Sequence, residues 1–247
     1  VMKSVLYYVV TILFTLAYCV VFMLIFALTV PFDRQRAVLH RASRFWAKAI
    51  YAWPLWRVKV EGREHIEKGV PYVVTVNHQA MLDIPLMYVL PFNFKWVSKR
   101  EVYRIPIFGM VLWMHGDIAI ERGAASSTKK MVHEADEYLR EGTSVIIFPE
   151  GTRTKDGRVH RFKEGAFLIA KSAGVGILPC VIEGTGSLLD GWRLRMPHSF
   201  TVRILPPVSA GEVASAEIKE LAAEVNRRTT EAHEALRPDL YGNEKEK

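Results

Sequence analysis

The sequence predicts an α/β fold: a central mixed, largely parallel sheet flanked by helices, preceded by an N-terminal hydrophobic and amphipathic two-helix membrane motif. Three observations carry this expectation. Beyond Pro54, short β-branched runs alternate with helix-like stretches, the pattern of a sheet whose central strands are covered on both faces. Residues 5–30 run without a single charge. Residues 34–56 mix basic and apolar positions at helical spacing. The expected boundaries are 1–56 for the membrane helices, 57–242 for the α/β domain and 243–247 for a charged, disordered tail.

The uncharged run exceeds the roughly 20 residues a helix needs to cross the hydrocarbon layer. It is also longer than the apolar part of a cleavable signal peptide, about 7–15 residues, and Pro31-Phe32-Asp33 makes a poor cleavage site. In the next segment Val38, Ala42, Phe45, Trp46, Ala49 and Trp53 recur at helical spacing, with Arg34, Arg36, Arg41, Arg44 and Lys48 at polar positions. A basic amphipathic helix with tryptophans suits the headgroup layer. Its positive charge places the rest of the chain in the cytoplasm. The first helix either spans the bilayer or folds back in one leaflet; the second case gives an antiparallel hairpin with Pro31 near its bend. Strands are expected at 57–61, 72–76, 94–98, 117–120, 144–148, 176–182 and 200–205, and helices at 81–89, 106–114, 126–140, 163–173 and 214–236.

Composition narrows the partners. Lys and Arg outnumber Asp and Glu by 33 to 26, a net charge of +7, which favours anionic ligands. No Arg-rich recognition helix or RNA-binding aromatic motif is present, so phospholipid headgroups and phosphorylated substrates are preferred to nucleic acid. The two cysteines, Cys19 and Cys180, both lie in apolar segments. A disulfide is not expected, and a reducing compartment is.

Asn77 and His78 fall where the second strand gives way to a helix, a position where α/β folds collect binding groups. His78 precedes Asp83 by five positions. On one continuous helix the two side chains would point about 140° apart. In a turn before the helix, the imidazole can fold back onto Asp83. A carboxylate on Nδ1 fixes the tautomer, stabilises the imidazolium and leaves Nε2 as a base. An unperturbed pKa of about 6.5 suits removal of a hydroxyl proton near neutrality. A turn-capping histidine with Asp83 as a helix-start residue fits the same residues. Metal binding is a further option, although no companion ligands stand at useful spacing.

Phe148-Pro149-Glu150-Gly151-Thr152-Arg153 follows the apolar run Val145-Ile146-Ile147. Pro149 ends strand pairing, Gly151 lets a ligand approach the backbone, and Arg153 offers a planar fork for phosphate. A polar turn with an internal ion pair is the plain alternative. Gly116-Asp117-Ile118-Ala119-Ile120-Glu121-Arg122 delivers Arg122 at the end of a strand, and Lys99 follows another. Together these cations imply a basic site.

In these segments and one more, the chain resembles the lysophosphatidic acid acyltransferases of the glycerolipid acyltransferase family. Asn77, His78 and Asp83 match the first family motif. Gly116, Ile118, Ile120 and Arg122 match the second, and Phe148 to Arg153 match the third in full. Ile177-Leu178-Pro179-Cys180-Val181-Ile182-Glu183-Gly184 resembles the fourth, loosest motif. The resemblance implies that His78 takes the proton from the sn-2 hydroxyl of lysophosphatidic acid, with Asp83 orienting it. The oxygen then attacks the thioester of acyl-CoA or acyl-carrier protein. Acceptor binding is implied for Arg122, Glu150, Gly151, Thr152 and Arg153, with Asn77 and Lys99 completing the expected set. No metal, cofactor or covalent acyl-enzyme is expected, because the thioester arrives activated; no short Gly-x-Ser-x-Gly elbow is present. The expected partner surface is the phospholipid bilayer, at the cytoplasmic face of the inner membrane. Alternatives are another lysolipid acceptor, or a membrane-bound lipid-binding protein without activity.

Overall fold

The structure is a computed structural model and describes residues 1–121, 125–196 and 198–242. Helix α1 (Met2–Thr29) and helix α2 (Ala37–Ala52) form an antiparallel hairpin. The pairing is visible in its contacts. The Tyr7 ring stacks on Trp53, Trp46 Nε1 donates to Thr15 Oγ1 at 3.1 Å, and the Tyr18 hydroxyl donates to the Ala42 carbonyl at 2.8 Å. Asp33 closes the bend by accepting from the Ala37 and Val38 amides at 2.9 and 2.8 Å, which caps the start of α2.

The domain elements follow in chain order: β1 (Arg57–Glu61), β2 (Tyr72–Val76), α3 (Asp83–Leu86), β3 (Phe94–Lys99), α4 (Phe108–His115), β4 (Ile118–Ile120), α5 (Ala125–Arg140) and β5 (Ser144–Ile147). Then come α6 (Gly165–Ala173), β6 (Gly176–Glu183), the two-residue strands β7 (Leu189–Asp190) and β8 (Arg193–Leu194), β9 (Ser199–Ile204), α7 (Ala210–Ser215) and α8 (Ile218–Glu234). Seven strands make one sheet in the order β1-β9-β6-β2-β5-β3-β4. Among the described residues every pairing in it is parallel except β6 with β9. This is the mixed, largely parallel sheet the sequence predicts. Every residue of the central strand β2 is buried, because helices cover both faces.

The alternation of side chains along the strands separates two cores. Val73, Val145 and Ile177 face Met131 and Leu139 of α5, Phe167 of α6 and Val225 of α8. Val74, Ile146 and Leu178 face the other way, into a cluster with Tyr7, Ile50, Tyr51 and Trp56. The N-terminal hairpin is therefore a structural layer of the domain. Helix α1 is fastened near both ends: Ser4 Oγ accepts from the Leu194 amide at 3.0 Å, and Phe26 packs on Trp113 of α4. Its other side is bare, with Leu13 61% and Leu24 59% exposed. The helix is long and apolar enough to cross a membrane.

Three expected helices differ in outline. The one at 81–89 is a single α-turn, α3, continued by a 3-10 turn at Met87–Val89, because Asp83 gathers the preceding loop onto its own carboxylate. The one at 106–114 starts at Phe108, after a 3-10 turn at Arg100–Arg104. The one at 214–236 is two helices. A Ser209–Glu212 capping box starts α7 early, and extended backbone at Ala216 and Glu217 divides it from α8. Lys171 Nζ holds that break by donating to the Ala216 carbonyl at 2.7 Å.

Candidate active site

Strand register assembles the site. Thr75 of β2 pairs with Ile147 of β5 in parallel, so His78 and Glu150, each three residues further on, leave the same edge of the sheet as neighbours. This is the C-terminal edge, where open α/β sheets bind ligands. Two hydrogen bonds tie the loops together around His78. Its amide donates to Glu150 Oε1 at 2.9 Å, and its carbonyl accepts from the Thr154 amide at 2.8 Å.

His78 lies in the turn before α3, and its ring folds back onto the acid. Nδ1 stands 2.7 Å from Asp83 Oδ2. That oxygen also accepts from the Gln79 and Ala80 amides at 2.6 and 2.9 Å. Oδ1 accepts from the Thr185 hydroxyl. Asp83 is fully buried, and each of its neighbours here is a donor. A carboxylate among donors takes the Nδ1 hydrogen, which leaves Nε2 with its lone pair. The flat face of the imidazole lies on Phe148, with centroids 3.9 Å apart and planes 13° from parallel. Phe148 in turn stacks on Trp96 of β3 at 5.2 Å.

His78 opens onto a cavity of about 580 Å³. Its walls include Met81, Ile84, Trp96, Phe108, Met131 and Leu168, and its polar side carries Lys99, Gly151, Thr152, Arg153 and Lys163. Lys99, Arg153 and Lys163 have no hydrogen-bond or ion-pair partner for their cationic groups among the described residues. Gly151 sits at φ +72°, a backbone conformation that glycine tolerates and other residues resist. No group of three or more His, Cys, Asp and Glu side chains with metal-holding geometry occurs among the described residues.

Two expected ligand-binding residues are placed elsewhere. Asn77 is buried, and its amide is committed to strand β6, donating to the Ile182 carbonyl at 2.9 Å and accepting from the Ile182 amide at 2.7 Å. It extends the sheet by one side chain and does not line the cavity. Glu150 is also buried, with Oε1 on the His78 amide and Oε2 on the His160 amide at 3.1 Å. It makes no ion pair with Arg153. Burial pushes its carboxyl up to about 7, against the two amides that favour the charged form. Arg122 lies outside the described residues. Thr185, Trp96 and Lys163 were not singled out from the sequence. Only the position of Lys163, ten residues after Arg153 in a basic stretch, carried a signal.

The acyltransferase family model matches residues 57–183. The chain belongs to the acyltransferase family. The chain is 34% identical over 214 residues to mouse 1-acyl-sn-glycerol-3-phosphate acyltransferase alpha, covering 83% of this chain and 74% of that one. It is 35% identical over 176 residues to the chloroplastic 1-acyl-sn-glycerol-3-phosphate acyltransferase LPAT1 of Arabidopsis thaliana, covering 70% of this chain and 49% of that protein. A Chlamydomonas reinhardtii relative, likewise a 1-acyl-sn-glycerol-3-phosphate acyltransferase, is covered to 64%. The chain thus spans about half to two thirds of these two plant and algal proteins. The crystal structure of the 1-acyl-sn-glycerophosphate acyltransferase PlsC from Thermotoga maritima superposes with a TM-score of 0.77 at 27% identity, over 95% of this chain and 96% of that one. The family match ends at Glu183, two residues before the Thr185 hydroxyl that completes the Asp83 shell.

Proposed function

We propose that this acyltransferase moves a fatty acyl group from acyl-CoA or acyl-carrier protein to the sn-2 hydroxyl of 1-acyl-glycerol-3-phosphate, forming phosphatidic acid. The observation that carries this reading is the His78–Asp83 contact at the mouth of a cavity with three unpaired cations. His78 Nε2 removes the hydroxyl proton as the oxygen attacks the thioester carbonyl. Asp83 stabilises the imidazolium that forms. The tetrahedral intermediate collapses with loss of thiolate, and the imidazolium returns the proton to it, so free thiol and ester leave together. General-base action of this kind contributes on the order of 10²–10⁴ in rate. No metal or cofactor is required in this scheme.

Lys99, Arg153 and Lys163 fit the acceptor phosphate, since charged groups form the stronger hydrogen bonds. The apolar walls of the cavity fit fatty chains. The bare side of α1 fits the interior of one leaflet, because the helix is fastened to the domain near both ends and lies along it. Arg34, Arg41 and Lys48 suit anionic headgroups beside it. This supports a seat on the cytoplasmic face of the inner membrane.

Purified enzyme assayed with acyl-CoA and with acyl-carrier protein, across acceptors with and without the phosphate, tests the reading. Fast transfer to lysophosphatidic acid and its loss in His78→Ala are expected. Equal rates on acceptors lacking phosphate would overturn the acceptor, and undiminished turnover by His78→Ala would overturn the base.

A further inference from the structure

Phe148 opens the 148–153 loop, whose resemblance implies acceptor binding, yet its ring is occupied. One face carries the His78 imidazole at 3.9 Å and 13°. Trp96, 3% exposed, stacks on it at 5.2 Å and 21°. His78 and Trp96 make no ring contact with each other, which places them on opposite faces of Phe148. Only the edge of Phe148 remains for a ligand. We propose that Phe148, backed by Trp96, is a positioning residue for the reaction: it holds the imidazole in plane and stabilises its protonated form through the ring face.

The physical reason lies in the change of charge during turnover. Neutral imidazole on a benzene ring gains ordinary stacking. The imidazolium gains more, because a cation over an aromatic face meets the negative side of the ring quadrupole. Phe148 thus favours the state reached after the hydroxyl proton has been taken. Asp83 acts on the same cation from the ring edge, through Nδ1. The two contacts are perpendicular, so together they fix both the plane and the rotation of the ring. Other charged groups face the same imidazole region: Glu150 beneath the backbone, and Lys99, Arg153, Lys163 and Glu164 around the cavity. Behind Asp83, Gln79 connects to Glu183 and His233. A test must separate the ring contact from all of these.

The inference rests on His78 as the base, and its test reads the imidazole directly. Carbon-13 NMR of histidine-labelled enzyme in micelles, with the His78 signal assigned by its absence in His78→Asn, gives the imidazole titration. In Phe148→Leu that titration is expected about half a unit lower, with kcat down about fivefold and KM for lysophosphatidic acid within twofold. Phe148→Tyr restores both. Fluorinated phenylalanines at position 148 keep the ring's shape and drain its π face, so the titration should fall step by step with fluorine number, even if the leucine variant folds poorly. A flat fluorine series overturns the proposal, as does a Phe148→Leu enzyme with raised KM and unchanged kcat. These readings do not depend on which acceptor is natural, whereas activity of His78→Ala tests the base separately.

Discussion

Thr185, on the loop after β6, donates its hydroxyl hydrogen to Oδ1 of Asp83, 102 positions earlier in the chain. Both side chains are buried, at 2% and 0% exposure. The hydroxyl occupies the one Asp83 oxygen that His78 and the backbone amides leave over. Leaving a buried acceptor unsatisfied costs about 1–3 kcal/mol. Thr185→Val is expected to lower kcat about tenfold with KM unchanged, and Thr185→Ser to stay near wild type. Steady-state kinetics of the pair decide it; a fully active valine variant would remove Thr185 from the site.

The cavity cations make a separable prediction. Hydrogen bonds to charged groups contribute about 1.5–3 kcal/mol, so Arg153→Ala and Lys163→Ala should each raise KM for lysophosphatidic acid tenfold or more. The same variants should treat an acceptor without phosphate as the wild type does. Equal losses on both acceptors would mean that these side chains hold the loop and not the ligand.

Glu150 links stability to pH. Its carboxyl is pushed from 4.5 up to about 7 by burial, so between those values the folded protein holds a proton that the unfolded chain has released. Stability then falls as pH rises from about 4.5 to 7, by about 3 kcal/mol in the limit. Glu150→Gln removes that slope. Denaturant midpoints of both proteins from pH 5 to 8 test it, and parallel curves would contradict it.

The N-terminal hairpin calls for point changes. Leu13→Asn together with Leu24→Asn removes apolar area from the bare side of α1. At about 1.5–3 kcal/mol per leucine buried, binding to liposomes should weaken a hundredfold or more while the melting temperature in detergent stays put. Tyr7→Ser should do the reverse, since Tyr7 is 4% exposed and packs on Trp53 and Trp56. Cutting the chain after residue 56 would also uncover Val74, Leu178 and Phe200, so truncation mixes the two effects.

The sheet was legible because its strands are runs of buried β-branched residues bounded by turns, as in Tyr72–Val76. The His78–Asp83 contact was legible because a five-residue spacing closes only through a turn. Thr185 and Trp96 were not, since each reaches the site across strand pairings that no local pattern encodes. The partners of Asn77 and Glu150 were hidden for a related reason: polar residues at a strand end read as ligand groups, while here they satisfy backbone amides of neighbouring segments. The early start of α7 had a readable mark, the Ser209-x-x-Glu212 spacing of a capping box, whereas the Lys171 contact that fixes the break before α8 comes from a distant helix.

Helix α1 has two opposite allegiances along one rod. Tyr7 and Phe22 point to protein interior, while Leu13 and Leu24, a few residues away, do not. A change in this segment will therefore act in one of two ways: by loosening the fold itself, or by leaving the fold sound with less oil to offer a bilayer. Which of the two follows depends on the compass bearing of the altered residue around the rod, and hardly at all on how conservative the exchange looks on paper.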